Sequence, residues 1–225
     1  MNPLLKVEGL TKSFKSPDGQ VHQVIDIPSF ELASSAEAAL VGRSGTGKST
    51  FLNILCGILK PDKGEVIIAG TSITKLKESA KDRFRARNIG YIFQTFNLLQ
   101  NFTALENVMI GMSFAGKANE NKAKEILKKV GLADRMEYKP SQLSTGQQQR
   151  VAVARALVNQ PELVIADEPT GNLDPEHANI AMELIRELCR ENDAGLLVVS
   201  HDKELISTFD RVDDLAKINN SGVSL

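Results

Sequence analysis

The run Gly42-Arg43-Ser44-Gly45-Thr46-Gly47-Lys48-Ser49 lies between a short apolar stretch, Ala38 to Val41, and a segment apolar at helical spacing from Ser49 to Leu59. It matches the pattern G-x-x-x-x-G-K-[ST] in the context that gives the pattern its meaning: buried strand, glycine loop, helix. Glycines let a backbone wrap a phosphate with its N–H groups turned inward. The helix N-terminus adds the positive end of a dipole, and Lys48 adds a full charge for the β- and γ-phosphates. Ser49 is then the expected Mg²⁺ ligand, with Thr50 in the same helical turn. A glycine-rich turn matching by accident is the competing reading, and the strand and helix on either side count against it.

A loop of this kind needs an acidic partner, and Leu163-Val164-Ile165-Ala166-Asp167-Glu168 supplies one. An apolar strand delivers two carboxylates at its C-terminal end, where open α/β sheets collect their ligands. Asp167 is expected to hold Mg²⁺ through water and Glu168 to polarise the attacking water of a phosphoryl transfer. By itself an apolar strand ending in Asp-Glu is common; its weight comes from the pairing with Lys48.

Around these two motifs, Gly/Pro punctuation and periodicity alternate strands with helices, which implies an α/β fold with a largely parallel core sheet. Leu4 to Phe14 and Val21 to Leu32 read as an antiparallel pair around the turn Ser16-Pro17-Asp18-Gly19. Lys60-Pro61-Asp62 reads as the end of the helix that follows the glycine loop. Ile89 to Phe93 reads as a strand, and Thr103 to Leu157 as an inserted helical block. Then come a helix from Pro175 to Glu191, a strand from Leu196 to Ser200, a short helix over Lys203 to Phe209 and a closing hairpin at Asn219-Asn220-Ser221-Gly222. The 225 residues are expected to form one domain, with residues 1–95 and 160–225 making the nucleotide-binding core and antiparallel β subdomain, and residues 96–159 a helical subdomain.

Composition narrows the partners. The formal net charge of −1 gives no overall field towards nucleic acid or an anionic membrane. Cys56 and Cys189 are the two cysteines, without Cys-x-x-Cys spacing, which argues for a reducing compartment and against zinc. No apolar run approaches the roughly 20 residues that span a bilayer, and the start has no signal-peptide core. The basic run Lys81, Arg83, Arg85, Arg87 reads as a solvated face.

Further motifs stand in the order of the ABC ATPase family, which the chain resembles over essentially its full length. Leu143-Ser144-Thr145-Gly146-Gln147 is similar to the family signature Leu-Ser-Gly-Gly-Gln, with Thr145 where glycine is usual. Gln94, after Gly90-Tyr91-Ile92-Phe93, matches the Q-loop; Gly171-Asn172-Leu173-Asp174 matches the D-loop; His201 matches the switch histidine; and Phe14 aligns with the aromatic that stacks on adenine. The resemblance implies ATP as the nucleotide and a head-to-tail dimer around two MgATP. In it Ser144, Gly146, Gln147 and Asp174 complete a site on the second copy, Gln94 reaches Mg²⁺ or the lytic water, and His201 hydrogen-bonds the γ-phosphate. Each residue also has a plainer reading: Ser144 as an N-cap, His201 as a strand-end histidine, Gln94 as a loop glutamine, Phe14 as core. The stretch from Asn88 to Leu99 and on to Val108 resembles the subgroup of lipoprotein-releasing, macrolide-export and cell-division ATPases. That implies a separate integral membrane permease as partner, no nucleic acid, and a cytoplasmic protein peripheral on the inner face of the cell membrane. The alternatives are a soluble ABC ATPase acting on nucleic acid or ribosomes, disfavoured by the charge and by the single motif set, and a small-molecule kinase, disfavoured by the signature and His201.

Overall fold

The computed structural model describes residues 3–43, 45–116 and 118–221. In chain order the strands are β1 (Leu5–Lys15), β2 (Val21–Leu32), β3 (Glu37–Val41), β4 (Lys63–Ile68), β5 (Thr71–Ser72), β6 (Ile89–Ile92), β7 (Leu163–Asp167), β8 (Gly195–Val199) and β9 (Val212–Asp214). The helices are α1 (Lys48–Leu55), α2 (Glu78–Asn88), α3 (Ala104–Ser113), α4 (Glu120–Lys129), α5 (Thr145–Leu157), α6 (Pro175–Glu191), α7 (Lys203–Ile206) and α8 (Leu215–Ile218). One sheet, ordered β2-β1-β4-β5, is antiparallel; the other, ordered β6-β7-β8-β3-β9, is parallel throughout.

The parallel sheet is apolar on both faces, as strands covered by helices on each side must be. Alternation sorts its side chains. Ala39, Val164, Ala166, Leu196 and Val198 face the cluster built with α3, α4, α5 and α6. Leu40, Leu163, Ile165, Leu197 and Val199 face the cluster that α1 shares with the antiparallel sheet. Helix α1 thus sits between the two sheets, with Phe51 wholly buried and packed edge-on against Phe30, ring centroids 5.8 Å apart. Where β1 and β4 approach, Gly64 adopts φ 90° and any Cβ there would strike the backbone oxygens of Glu8 and Gly9, so this crossing admits only glycine.

Four expectations change. Helix α1 stops at Leu55 rather than Leu59, because Gly57 turns to φ 66° and the amides of Ile58 and Leu59 both donate to the Asn53 carbonyl; Pro61 plays no part in ending it. Strands β4 and β5 and helix α2 were not anticipated, α2 because its sequence has no apolar stripe. Its basic run is not a uniformly solvated face: Lys81 is only 6% exposed, with its ammonium 2.8 Å from Glu78, and Arg85 donates to the Cys56 carbonyl at 3.3 Å. Finally, the closing hairpin is absent among the described residues. β9 lies parallel to β3, α8 follows, and Asn219 turns its side chain to β2; Gly222 lies outside the described residues.

Candidate functional site

The loop between β3 and α1 is shaped by Gly47, at φ 93°, whose absent Cβ would sit 3.0 Å from Ile25 Cδ1 and 3.1 Å from the Val24 carbonyl. Thr46 closes the turn from within, its hydroxyl donating to the Arg43 carbonyl at 2.8 Å. Lys48 folds over the loop and donates to the carbonyls of Gly42 at 2.5 Å and Arg43 at 3.0 Å. No side chain caps α1, so its first amides, with Ser49 and Thr50 in the same turn, face outward as an anion would require. Gly42, Arg43, Gly45 and Thr46 are all part of this loop; Ser44 lies outside the described residues.

Strand β7 brings the acidic pair to the same end of the sheet. Asp167 lies among Tyr91, Glu168 and Lys48. Burial raises its carboxyl above the ordinary range and the Glu168 charge adds to this, while the Tyr91 hydroxyl, donating to Oδ2 at 3.3 Å, and the Lys48 ammonium pull it down. Glu168 holds φ 46°, an uncommon conformation for a residue with a Cβ, of the kind that gathers at functional sites. Its amide donates to the Val199 carbonyl at 2.8 Å, and its Oε2 accepts from the Ser200 hydroxyl at 3.0 Å. His201 Nδ1 stands 2.6 Å from Glu168 Oε1, so the two expected catalytic residues are in direct contact. Among the described residues Gln94 is not hydrogen-bonded to either: its backbone carbonyl accepts from the Asn172 side chain at 2.6 Å, and its side-chain amide and Glu168 both border Gly171.

A second group of expected residues gathers elsewhere. Ser144 is the N-cap of α5 in a full capping box, accepting from the Gln147 amide at 3.3 Å while its own amide donates to Gln147 Oε1 at 3.0 Å. Asp174 caps α6, with both carboxylate oxygens within 2.9 Å of His177 Nδ1, and the His177 bond holds that carboxyl below its ordinary range. The His177 ring in turn lies against Gly146, 3.4 Å from where its Cβ would be. Among the described residues no hydrogen bond joins this group to Lys48, Asp167 or Glu168. Phe14 stands apart from the core at 43% exposed, its ring 5.6 Å from Lys12 Nζ.

Sequence reasoning missed Tyr91 and Ser200, whose contacts are tertiary, and His177, which bonds the N-cap Asp174 three residues before it and lies against Gly146; Tyr91 carried a signal, a hydroxyl inside an otherwise apolar strand. It also missed Arg155. On α5, Arg155 donates to the carbonyls of Phe96 and Asn97, each at 2.6 Å, and those two consecutive residues both have positive φ. One half-buried guanidinium thus holds the segment just after Gln94 to α5.

Comparisons with known proteins show the family. The family model described as ABC transporter matches residues 25–171. The chain is 42% identical over 212 residues to the lipoprotein-releasing system ATP-binding protein LolD of Chromohalobacter salexigens, covering 93% of this chain and 89% of that protein. It is also 42% identical over 212 residues to the LolD of Treponema pallidum, covering 93% of each. Among solved structures it is similar to the ATP-binding cassette MJ0796 in a dimeric post-hydrolysis state bound to ADP and Pi. The TM-score is 0.84, the identity 34%, and 93% of each chain is covered. A second dimeric structure of MJ0796, described as a bacterial ABC transporter cassette, gives the same values. A strand-borne acidic pair beside a phosphate-shaped loop, on a fold shared with these cassettes, makes the chain an ATP-hydrolysing member of the ABC transporter family.

Proposed function

We propose that this chain is the ATPase subunit of a transporter, working as a head-to-tail pair of copies around two MgATP and driving a separate membrane-spanning partner. The observation that carries the reading is the division of its own motifs. Lys48, Asp167, Glu168 and His201 form one half-site, while Ser144, Gly146 and Gln147 sit at a helix N-terminus with no bond to it. A helix start that ends a chain's own network yet offers outward amides suits an anion bound by another copy. The dimeric MJ0796 cassettes supply a precedent for such pairing.

In this reading Lys48 and the loop amides hold the phosphates, and Phe14 stacks on the base. Glu168 accepts the proton of the attacking water while His201 steadies the carboxylate and reaches the γ-phosphate. The donors fit Mg²⁺: Ser49, Asp167 and Gln94 offer hard oxygens, and no cluster of three or more His, Cys, Asp or Glu among the described residues forms an all-protein cage. Mg²⁺ is usually held by one or two carboxylates with substrate phosphates and water, and it would neutralise charge developing on the phosphates.

No described helix is long and apolar enough to cross a membrane. The proposed permease would instead dock on a groove of about 500 Å³ lined by Ile58, Phe93, Phe114 and Arg155. Phe114 and Ile58 are more than half exposed there, and the groove borders the proposed helical unit, residues 96–159. A cytoplasmic position on the inner face of the membrane follows from that docking. Glu168→Gln is the test: with MgATP the variant is expected to elute as a stable dimer in size-exclusion chromatography and to hold unhydrolysed nucleotide. A monomer under saturating MgATP would refute the pairing.

A further inference from the structure

Tyr91 has two faces with different neighbours. Its ring lies on the wall of the groove with Cys56 and Phe93, at 4.3 Å between the Tyr91 and Phe93 ring centroids. Its hydroxyl donates to Asp167 Oδ2 at 3.3 Å, and Asp167 is not among the residues that line the groove. The parallel register explains the reach: Tyr91 pairs with Ile165, so Asp167 follows two residues on along the same face of the neighbouring strand. Among the described residues Tyr91 makes the one side-chain hydrogen bond to the Asp167 carboxylate. Nothing in the phosphate-loop chemistry itself requires a phenol at this position.

We propose that Tyr91 is a positioning residue for Asp167, fixing one carboxylate oxygen so that the other is presented to the nucleotide's divalent cation, and that it does so from the wall of the groove. This rests on the assignment of Asp167 to Mg²⁺. A carboxylate on a strand end keeps two free torsions, and a hydrogen bond to one oxygen removes most of that freedom. Such supporting bonds to ligating carboxylates are worth about 10- to 100-fold in metal affinity or activity where they have been cut. Because Tyr91 lines the groove, the permease proposed to dock there would contact the residue that aims the metal ligand. The groove and the metal site then share one side chain, with no helix or loop between them.

The test uses Tyr91→Phe, which keeps the ring and removes the oxygen. With a non-hydrolysable ATP analogue, the Mg²⁺ concentration for half-maximal nucleotide binding is expected to rise about 10-fold, while affinity without metal stays unchanged. Phe93→Ala, which leaves the hydroxyl but removes the ring beside it, should shift the Mg²⁺ requirement in the same direction. An independent readout exists because the chain has no tryptophan and two tyrosines. In a Tyr138→Phe background Tyr91 is the sole emitter, and Asp167→Asn should raise its emission by removing the carboxylate that quenches it. An unchanged Mg²⁺ requirement in Tyr91→Phe, or an equal loss of metal-free affinity, overturns the proposal, as does silent emission. Asp167→Asn separates the two levels. If it too leaves the Mg²⁺ requirement unchanged, the metal role of Asp167 falls and this inference with it; if it shifts the requirement and Tyr91→Phe does not, only the inference fails.

Discussion

Glu168 is held in an uncommon backbone conformation between Ser200 and His201, and its value to the chain lies in its charge. Glu168→Gln keeps the shape and loses the base, so hydrolysis is expected to fall by about 10²- to 10⁴-fold with ATP affinity retained, read by single-turnover phosphate release. Lys48→Ala should lose affinity and turnover together, since the ammonium holds phosphates in the ground and transition states alike. Phe14 is exposed and free to stack, so Phe14→Ala should weaken ATP binding while sparing the maximal rate, and unchanged affinity in steady-state kinetics would remove it from the site.

Two effects meet in one hydroxyl at the start of α5, and substitution can separate them. Ser144→Ala loses the cap, at about 1 kcal/mol of stability. Ser144→Asp keeps a good cap but brings a negative charge to the helix start, so it should fold normally, bind ATP as a monomer, and fail to pair on ATP; pairing at the native level would leave Ser144 a cap and nothing more. Thr145 is the first residue of α5 and needs no positive φ, so Thr145→Gly should change turnover by less than about tenfold, roughly 1.4 kcal/mol. At this scale the sequence was readable wherever chemistry and periodicity coincided. α6 and β2 begin and end where their caps and turns put them, and the phosphate loop, Asp167 and Glu168 were legible because local strand–loop patterns encode them. Helix α2 was illegible because it has no apolar stripe and is tied to the rest of the fold through Arg85, which donates to the Cys56 carbonyl, and β4 because its pairing with β1 is set by a glycine crossing. The contacts of Tyr91 and Arg155 were hidden for the same reason: each partner lies on another part of the fold.

Across the whole molecule, the two cysteines are buried on opposite sides of the parallel sheet, and burial pushes both thiols to about 12. Neither is a usable nucleophile near neutral pH, so a thiol reagent should label the native chain negligibly and both cysteines after denaturation; fast native labelling would contradict the packing. Phe51 ties α1 to the antiparallel sheet, and Phe51→Ala should lower unfolding free energy by about 3–5 kcal/mol in a denaturant titration. The side chain of Asn219 has a different reach. It donates to the carbonyls of Val24 at 2.9 Å and Thr46 at 3.3 Å and accepts from the Asp26 amide at 2.7 Å, across 195, 173 and 193 residues of sequence. During synthesis, then, the side chain that supports the phosphate loop is made 173 residues after the Thr46 it holds. Closing so long a connection is slow and comes late. A nascent chain lacking Asn219 would carry every phosphate-binding residue and still lack the clamp that holds their loop against β2, so competence to grip nucleotide should mature after most of the fold has formed.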